Sequence, residues 1–163
     1  MYSKNGISIN PVKKNDVLDI ILLQKEFDVY LQRFSKNKRK RFSVQKHKRT
    51  LLRDGFGSKR AFQGFIARSQ NKALGYVLYH FGYDPDEMEG RVIYVIDLFV
   101  TGGARRLGIG SILMKKVMAL CKNTNCTGIY FGVWLKNKPA IQFYKKLGAN
   151  WIKDVPFMHW NKD

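Results

Sequence analysis

The sequence predicts an α/β layer domain, and three observations predict it. Runs of β-branched and aromatic residues alternate with segments whose apolar positions repeat at helical spacing. The stretch Arg91-Val92-Ile93-Tyr94-Val95-Ile96-Asp97-Leu98-Phe99-Val100 is apolar almost without a break, as a strand covered on both faces of a layered sheet is. A turn holding two glycines then hands this strand to an amphipathic helix. A chain of 163 residues is expected to be one domain over 1–163, burying roughly 70% of the surface its unfolded form exposes.

Each element has its own signal. Ile7-Ser8-Ile9-Asn10 alternates up to Pro11 and predicts a short opening strand. Asn15 and Asp16 are N-cap types ahead of Val17, Leu18, Ile20, Ile21, Leu22, Phe27 and Tyr30, which predicts a helix to about Leu31. Residues 36–49 hold eight Lys or Arg among fourteen positions and no acid. Leu51-Leu52-Arg53-Asp54-Gly55 then reads as a helix end, and Gly55-Phe56-Gly57-Ser58 as a turn. Residues 62–68 and 74–81 are β-rich, joined by the polar turn Ser69-Gln70-Asn71-Lys72, and Tyr83-Asp84-Pro85-Asp86-Glu87 is a loop before the apolar run. Past Thr101-Gly102-Gly103-Ala104, the positions Ile109, Leu113, Val117 and Leu120 make one helical stripe with Lys115 and Lys122 opposite. Residues 128–134 read as a strand. Asn137 caps a helix with Pro139 in its first turn, Ala140, Phe143, Tyr144 and Leu147 inward, and Gly148 at its end. Residues 151–155 and 157–160 read as two closing strands.

Composition narrows the function. Apolar residues at 45% and charged residues at 26% exclude wholesale disorder and a fibrous chain. The formal charge of +18 attracts polyanions: nucleic acid, an anionic membrane or a phosphorylated cofactor. Cys121 and Cys126 form no CxxC pair, which fits reduced thiols in an intracellular protein. No apolar run reaches ~18 residues and no signal-like segment opens the chain, so a cytoplasmic protein without a membrane span is expected.

The turn Arg105-Arg106-Leu107-Gly108-Ile109-Gly110-Ser111 carries the chemistry. At a strand-to-helix junction, free backbone N–H groups and the positive end of the helix dipole face outward. Glycine permits close approach of an anion, and two arginines add charge-assisted hydrogen bonds. A Walker loop lacks its Gly-Lys-Ser/Thr here, and a dinucleotide turn lacks its third glycine, since Leu113 stands there. A helix start that merely needs tight packing is the competing reading.

The pattern Arg-x-x-Gly-x-Gly after a sheet strand resembles the acetyl-CoA pyrophosphate loop of the GNAT N-acetyltransferases. Asn137-Lys138-Pro139-Ala140-Ile141-Gln142-Phe143-Tyr144-Lys145-Lys146-Leu147-Gly148-Ala149 resembles that superfamily's C-terminal signature. Further segments are similar to the spermidine/spermine (diamine) N-acetyltransferases: Leu52-Arg53-Asp54-Gly55-Phe56-Gly57, Tyr79-His80-Phe81-Gly82-Tyr83-Asp84-Pro85 and Asp97-Leu98-Phe99-Val100. The resemblance implies the GNAT fold, a mixed central sheet of about six or seven strands flanked by about four helices. It also implies acetyl-CoA as co-substrate, with no metal.

By that resemblance, Arg105, Arg106, Leu107, Gly108, Ile109, Gly110 and Ser111 hold the pyrophosphate. Leu98, Phe99 and Val100 pair with the pantetheine arm, and a backbone N–H there stabilises the oxyanion formed when a neutral amine attacks the thioester. Tyr144 protonates the leaving thiolate; as an inward residue of its helix it also reads as a packing group. Asn137 orients the cofactor, besides capping its helix. Three departures from the polyamine enzymes stand out. Ile96 occupies the place of their general-base glutamate, Leu31 falls near an acid that binds polyamine, and Asp86 replaces a tryptophan. Asp84 and Asp97 remain. Asp97 is the expected catalytic carboxylate, acting through a water, with Asp84 the alternative, although strict alternation would point Asp97 away from position 96. Asp84 and Ile96 are expected at the substrate.

The expected activity is transfer of an acetyl group to a primary amine of a small molecule: polyamine, diamine or amino-acid-like. Spermidine and spermine should be poor substrates beside a smaller or carboxylate-bearing amine. The alternatives are a protein lysine or N-terminal acetyltransferase, and a GNAT-fold protein that binds CoA or nucleic acid with little turnover. The basic residues 36–49 read as a solvated helix face or arm, as a nucleic-acid site with Phe42 and His47 as its only rings, or as a partner or CoA-steering surface. A homodimer is implied by the resemblance. His47, His80 and His159 show no metal-ligand spacing.

Overall fold

A computed structural model describes residues 6–35, 41–84 and 90–152. Their order is β1 (Ile7–Pro11), α1 (Val17–Gln32), α2 (Val44–Asp54), β2 (Gln63–Ser69), β3 (Lys72–Asp84), β4 (Gly90–Val100), α3 (Ile109–Asn123), β5 (Gly128–Phe131) and α4 (Lys138–Lys146). Up to α4 this is the predicted order. The strands make one mixed sheet in the order β1-β2-β3-β4-β5, antiparallel through β4 and parallel between β4 and β5. That last pair is parallel because α3 carries the chain back before β5 begins.

Five strands stand among the described residues where six or seven are expected. Of the two closing strands, Trp151 and Ile152 take no regular structure, and 153–163 lie outside the described residues. The loop expected from Tyr83 starts later, since Tyr83 and Asp84 still pair with Arg91 and Gly90. β5 stops at Phe131, short of Trp134. Of the basic stretch, residues 36–40 lie outside the described residues, and its second half enters α2.

The chain divides into two compact units, 1–132 and 133–163. In the first, the apolar stripe of α1 (Val17, Ile20, Ile21, Leu23) and Leu51 of α2 bury Ile66, Tyr76, Leu78 and Phe99 on one sheet face. Phe27 stacks on Phe99 with centroids 5.1 Å apart, a contact worth about 0.5–1.5 kcal/mol beyond its buried area. α3 packs against β2, β3 and β4 on the other face through Ile109, Leu113, Met114 and Val117. Cys121 completes that stripe rather than the expected Leu120, which is half-buried.

Caps set the ends of these helices. Ser43 starts α2 by accepting from the Lys46 N–H at 3.3 Å. Asp16, an expected cap of α1, instead accepts from the Lys13 N–H at 2.7 Å and, with Asp19, holds the Arg68 guanidinium of β2. The helix start is thereby tied to the sheet. Gly55 closes α2 where a side chain has no room: a Cβ there would stand 2.7 Å from the Phe62 ring. In the second unit, Asn137 caps α4 through its Oδ1, which accepts from the Ala140 N–H at 3.3 Å, with Pro139 in the first turn.

Candidate active site

The site grows out of a break in β4. On one side β4 pairs with β3 along its whole length; on the other, β5 accompanies it from Val92↔Gly128 to Val95↔Phe131 and stops. Among the described residues no strand covers that edge along 96–100. The expectation of a strand buried on both faces therefore holds for Val92 and Ile93, each 0% exposed, and fails at Ile96, which is 48% exposed.

A β-bulge causes the change. Val95 pairs with Tyr79 and Asp97 with Leu78, leaving Ile96 as the extra residue without a partner on β3. A bulge bends its strand and increases the local twist, which separates β4 from β5. It also resets the alternation. Asp97 shares the face of Leu78, Tyr76 and Phe99, and so does Tyr94, three residues earlier, because its partner is His80. Strict alternation across 96 and 97, the sequence argument against Asp97, does not apply at a bulge.

Asp97 rests on a buried phenol. The Tyr76 hydroxyl donates to Asp97 Oδ2 at 3.5 Å, and Tyr76 is fully buried under α1. Burial pushes this phenol well above its usual range, the Asp97 charge raises it further, and a hydrogen bond with the Gln24 side chain works the other way. Tyr76 thus stays protonated and available as a donor to the carboxylate. The Gln24 Oε1 atom beside it is buried without a hydrogen-bond partner among the described residues.

The glycine turn follows directly. The Thr101 N–H donates to the Leu74 carbonyl at 2.9 Å, which ends the sheet. Glu26 of α1 accepts from the Thr101 hydroxyl at 2.7 Å and from the Gly102 N–H at 2.8 Å, holding the short 3-10 turn Gly102–Ala104. Arg105 turns back: its Nε donates to the Val100 carbonyl at 3.0 Å, and its guanidinium lies 4.4 Å from the Tyr30 ring centre and 5.5 Å from that of Phe99. Arg106 is exposed and sits at φ 64°, in the left-handed region. Gly108, at φ 80°, is the N-cap of α3 and supplies no side-chain cap; the first intrahelical bond runs from the Ile112 N–H to its carbonyl. The amides of Ile109, Gly110 and Ser111 thus form the first turn, which has no intrahelical acceptors.

Leu98 and Val100 are half-buried and Phe99 is buried. Asp84 lies on the same face as Asp97 but six residues along β3 from Leu78, roughly 20 Å away at ~3.4 Å per residue. The two carboxylates therefore do not converge on one atom. In the second unit, Asn137 is buried and Tyr144 is half-buried on α4, its ring set edge-on to Phe143 with centroids 5.2 Å apart. Among the described residues no group of three His, Cys, Asp or Glu is placed to hold a metal, and no helix is long and apolar enough to cross a membrane.

Sequence reasoning missed Tyr76, Gln24, Glu26 and Tyr30. Each acts through a partner far away in the chain, and none belongs to a local motif.

A mixed sheet that opens between two parallel strands, next to a glycine turn at a helix start, fits the fold that the resemblance in the sequence implies. The chain belongs to the acetyltransferase (GNAT) family, whose model matches residues 26–149, and it is an N-acetyltransferase of that family. Family membership implies acetyl-CoA as the donor. The chain is similar to thialysine N-epsilon-acetyltransferase of Bos taurus, 29% identical over 161 residues covering 94% of this chain and 89% of that protein. It is similar to spermidine/spermine N(1)-acetyltransferase-like protein 1 of Homo sapiens, 33% identical over 106 residues, a match spanning 61% of this chain but 15% of the human protein. Among solved structures, an integron cassette protein from the mobile metagenome of V. cholerae superposes with a TM-score of 0.75 at 24% identity, covering 97% of this chain and 94% of that one.

Proposed function

We propose that this protein acetylates a primary amine of a small molecule, as one catalytic domain across 1–163. The observation that carries this reading is the bulge at Ile96, which leaves the β4 edge open along 96–100 beside both Asp97 and the glycine turn. In this reading the pantetheine arm adds to that edge at Leu98, Phe99 and Val100, and a backbone N–H there receives the developing oxyanion. The pyrophosphate lies on the amides of Gly108, Ile109, Gly110 and Ser111, beside Arg106 and Leu107. Arg105, engaged with Val100, Tyr30 and Phe99, shapes the loop more than it reaches the ligand.

The neutral amine attacks the thioester carbon and forms the C–N bond. Its proton passes through a water to Asp97, and the C–S bond breaks as Tyr144 protonates the departing thiolate, with Asn137 orienting the cofactor. A phenol near pKa ~10 is a suitable acid for a thiolate of ~8.5. Ile96 lines the acceptor side without accepting a proton, and Asp84, roughly 20 Å from Asp97, holds a distant part of a long acceptor.

The names of two relatives support the acceptor class, one acting on thialysine and one resembling spermidine/spermine enzymes. Lacking acids at Ile96 and Leu31, the chain should prefer a diamine or an amino-acid-like amine to spermine. A cytoplasmic homodimer is part of the same proposal. The second reading is a CoA-binding protein with little turnover, favoured by Ile96 where a base is expected. The test is CoA release with acetyl-CoA against polyamines, diamines, lysine analogues and peptides. Turnover with a small amine and none with peptides is expected; acetyl-CoA binding without turnover on any acceptor would overturn the enzymatic reading.

A further inference from the structure

The helix that acetyl transfer leaves unused is α2. From Arg41 to Arg60 the chain holds seven Lys or Arg and one acid, Asp54. Leu51 is buried in the core beneath α1, and Phe42 packs against the same cluster, which fixes the way the helix faces. Lys46, Arg49 and Arg53 follow at i, i+3 and i+7 and turn to solvent, with Lys48 beside them and Arg41 just ahead of the Ser43 cap. Asp54 holds Arg53 through both carboxylate oxygens, at 2.5 and 2.6 Å. Among the described residues no carboxylate meets Arg41, Lys46, Lys48 or Arg49. Two acids of the neighbouring α1 are engaged elsewhere: Asp19 holds Arg68, and Glu26 holds the turn after β4.

Cations held side by side on one scaffold repel each other. A regular polyanion relieves that repulsion and gains the release of its own counterions. The eleven-residue helix is roughly 16 Å long at ~1.5 Å per residue, and a nucleic-acid duplex carries about ten phosphates over that length. A bilayer is a poorer match: an interfacial helix puts its apolar face into the lipid, and the apolar face of α2 is packed on the protein. A single strand needs free ring faces on which its bases stack. The two rings here, Phe42 and His47, cover one another, with centroids 3.9 Å apart and planes 19° apart. We propose that the outer face of α2 is a sequence-independent binding surface for the phosphate backbone of duplex nucleic acid, with Arg41, Lys46, Lys48 and Arg49 as its contacts. The surface is separate from acetyl transfer and does not depend on it.

The test is fluorescence anisotropy with labelled DNA and RNA duplexes of about 20 base pairs, from about 50 to about 200 mM salt. The parent should bind with a Kd of roughly 10⁻⁶–10⁻⁴ M near physiological salt, and log K should fall against log salt with a slope of about −3 to −4, as four phosphate contacts require. Replacing Lys46, Lys48 and Arg49 together by Gln keeps the helix propensity. It should make the slope shallower by about 2–3, and Arg49→Gln alone by about 0.9, with the melting temperature unchanged. Replacing Lys115, Lys116 and Lys122 by Gln removes equal charge from the exposed side of α3, on the other sheet face, and should leave the slope of the parent. Equal losses in the two triple variants would make the binding a matter of net charge and overturn the surface. So would no binding to either duplex, tighter binding to an unstructured single strand, or binding to phosphatidylserine vesicles in place of the duplexes. Binding to the DNA duplex alone or the RNA duplex alone upholds the surface and says which source it takes.

Discussion

The two halves of β4 use the same kinds of residue to opposite ends. Val92, Ile93 and Val95 are paired on both sides and buried, whereas past the bulged Ile96 the strand from Asp97 onward is paired on one side and partly open. One added residue separates these states. The difference shows that a strand which begins as core is converted into an open edge by its register, with Asp97 the one charged residue gained on the way. The first half holds the sheet together; the second keeps backbone groups available for something other than a strand.

The sharpest test of that division is Asp97→Asn. If the open half does chemistry, kcat should fall by roughly 10²–10⁴-fold with little change in melting temperature, since Asp97 adds no apolar packing. An unaffected kcat would move the base elsewhere.

Ile93→Ala probes the closed half. This residue is 0% exposed, and its truncation should cost about 2–5 kcal/mol of stability, read by chemical denaturation. Turnover per folded molecule should hold. A selective loss of kcat without loss of stability would erase the distinction between the halves.

Gly108→Val tests the turn that the open half feeds. At φ 80° a side chain in the left-handed region costs about 1–2 kcal/mol, and a β-branched one also crowds the anion. Acetyl-CoA affinity measured by calorimetry should drop by about tenfold or more, ~1.4 kcal/mol per tenfold. Unchanged affinity would remove the pyrophosphate from this turn.

The smallest expected effect is on alkaline stability. Tyr76 is held protonated in the folded state, first by burial and then by the Asp97 charge. Above a pH of about 10 the unfolded phenol loses its proton while the folded one keeps it, so the unfolded state binds fewer protons and stability falls as pH rises. Tyr76→Phe should show a shallower loss above that pH in denaturation curves. Equal slopes would mean that Tyr76 does not carry this linkage.

Much of this was legible in the sequence because it is locally encoded. The α3 stripe, the Asn137 cap, the paired glycines at 108 and 110 and the apolar run of β4 all fall within one element or one turn. The bulge was not legible, because Val95, Ile96 and Asp97 look like any three strand residues; the extra position exists only against the register of β3. Tyr76 read as an ordinary β-former, and its role depends on Asp97, 21 positions away. Glu26 meets Thr101 and Gly102 across 75 and 76 positions, a contact set by tertiary packing. Asp16 reads as a cap, yet Arg68 of β2 and the Lys13 amide claim its carboxylate.

An uncovered strand edge is also an aggregation hazard, since it offers a template to any extended chain that drifts by. The opening in β4 carries its own safeguards. The bulge interrupts the regular spacing that an incoming strand needs for continuous pairing, and the Arg105 side chain occupies the Val100 carbonyl at the far end of the edge. What is left is a short, bent segment, the one on which the proposed function places a pantetheine arm, and it is too irregular to pair with several residues of a neighbouring protein. The kink that leaves this edge open also makes it a poor template for an incoming strand.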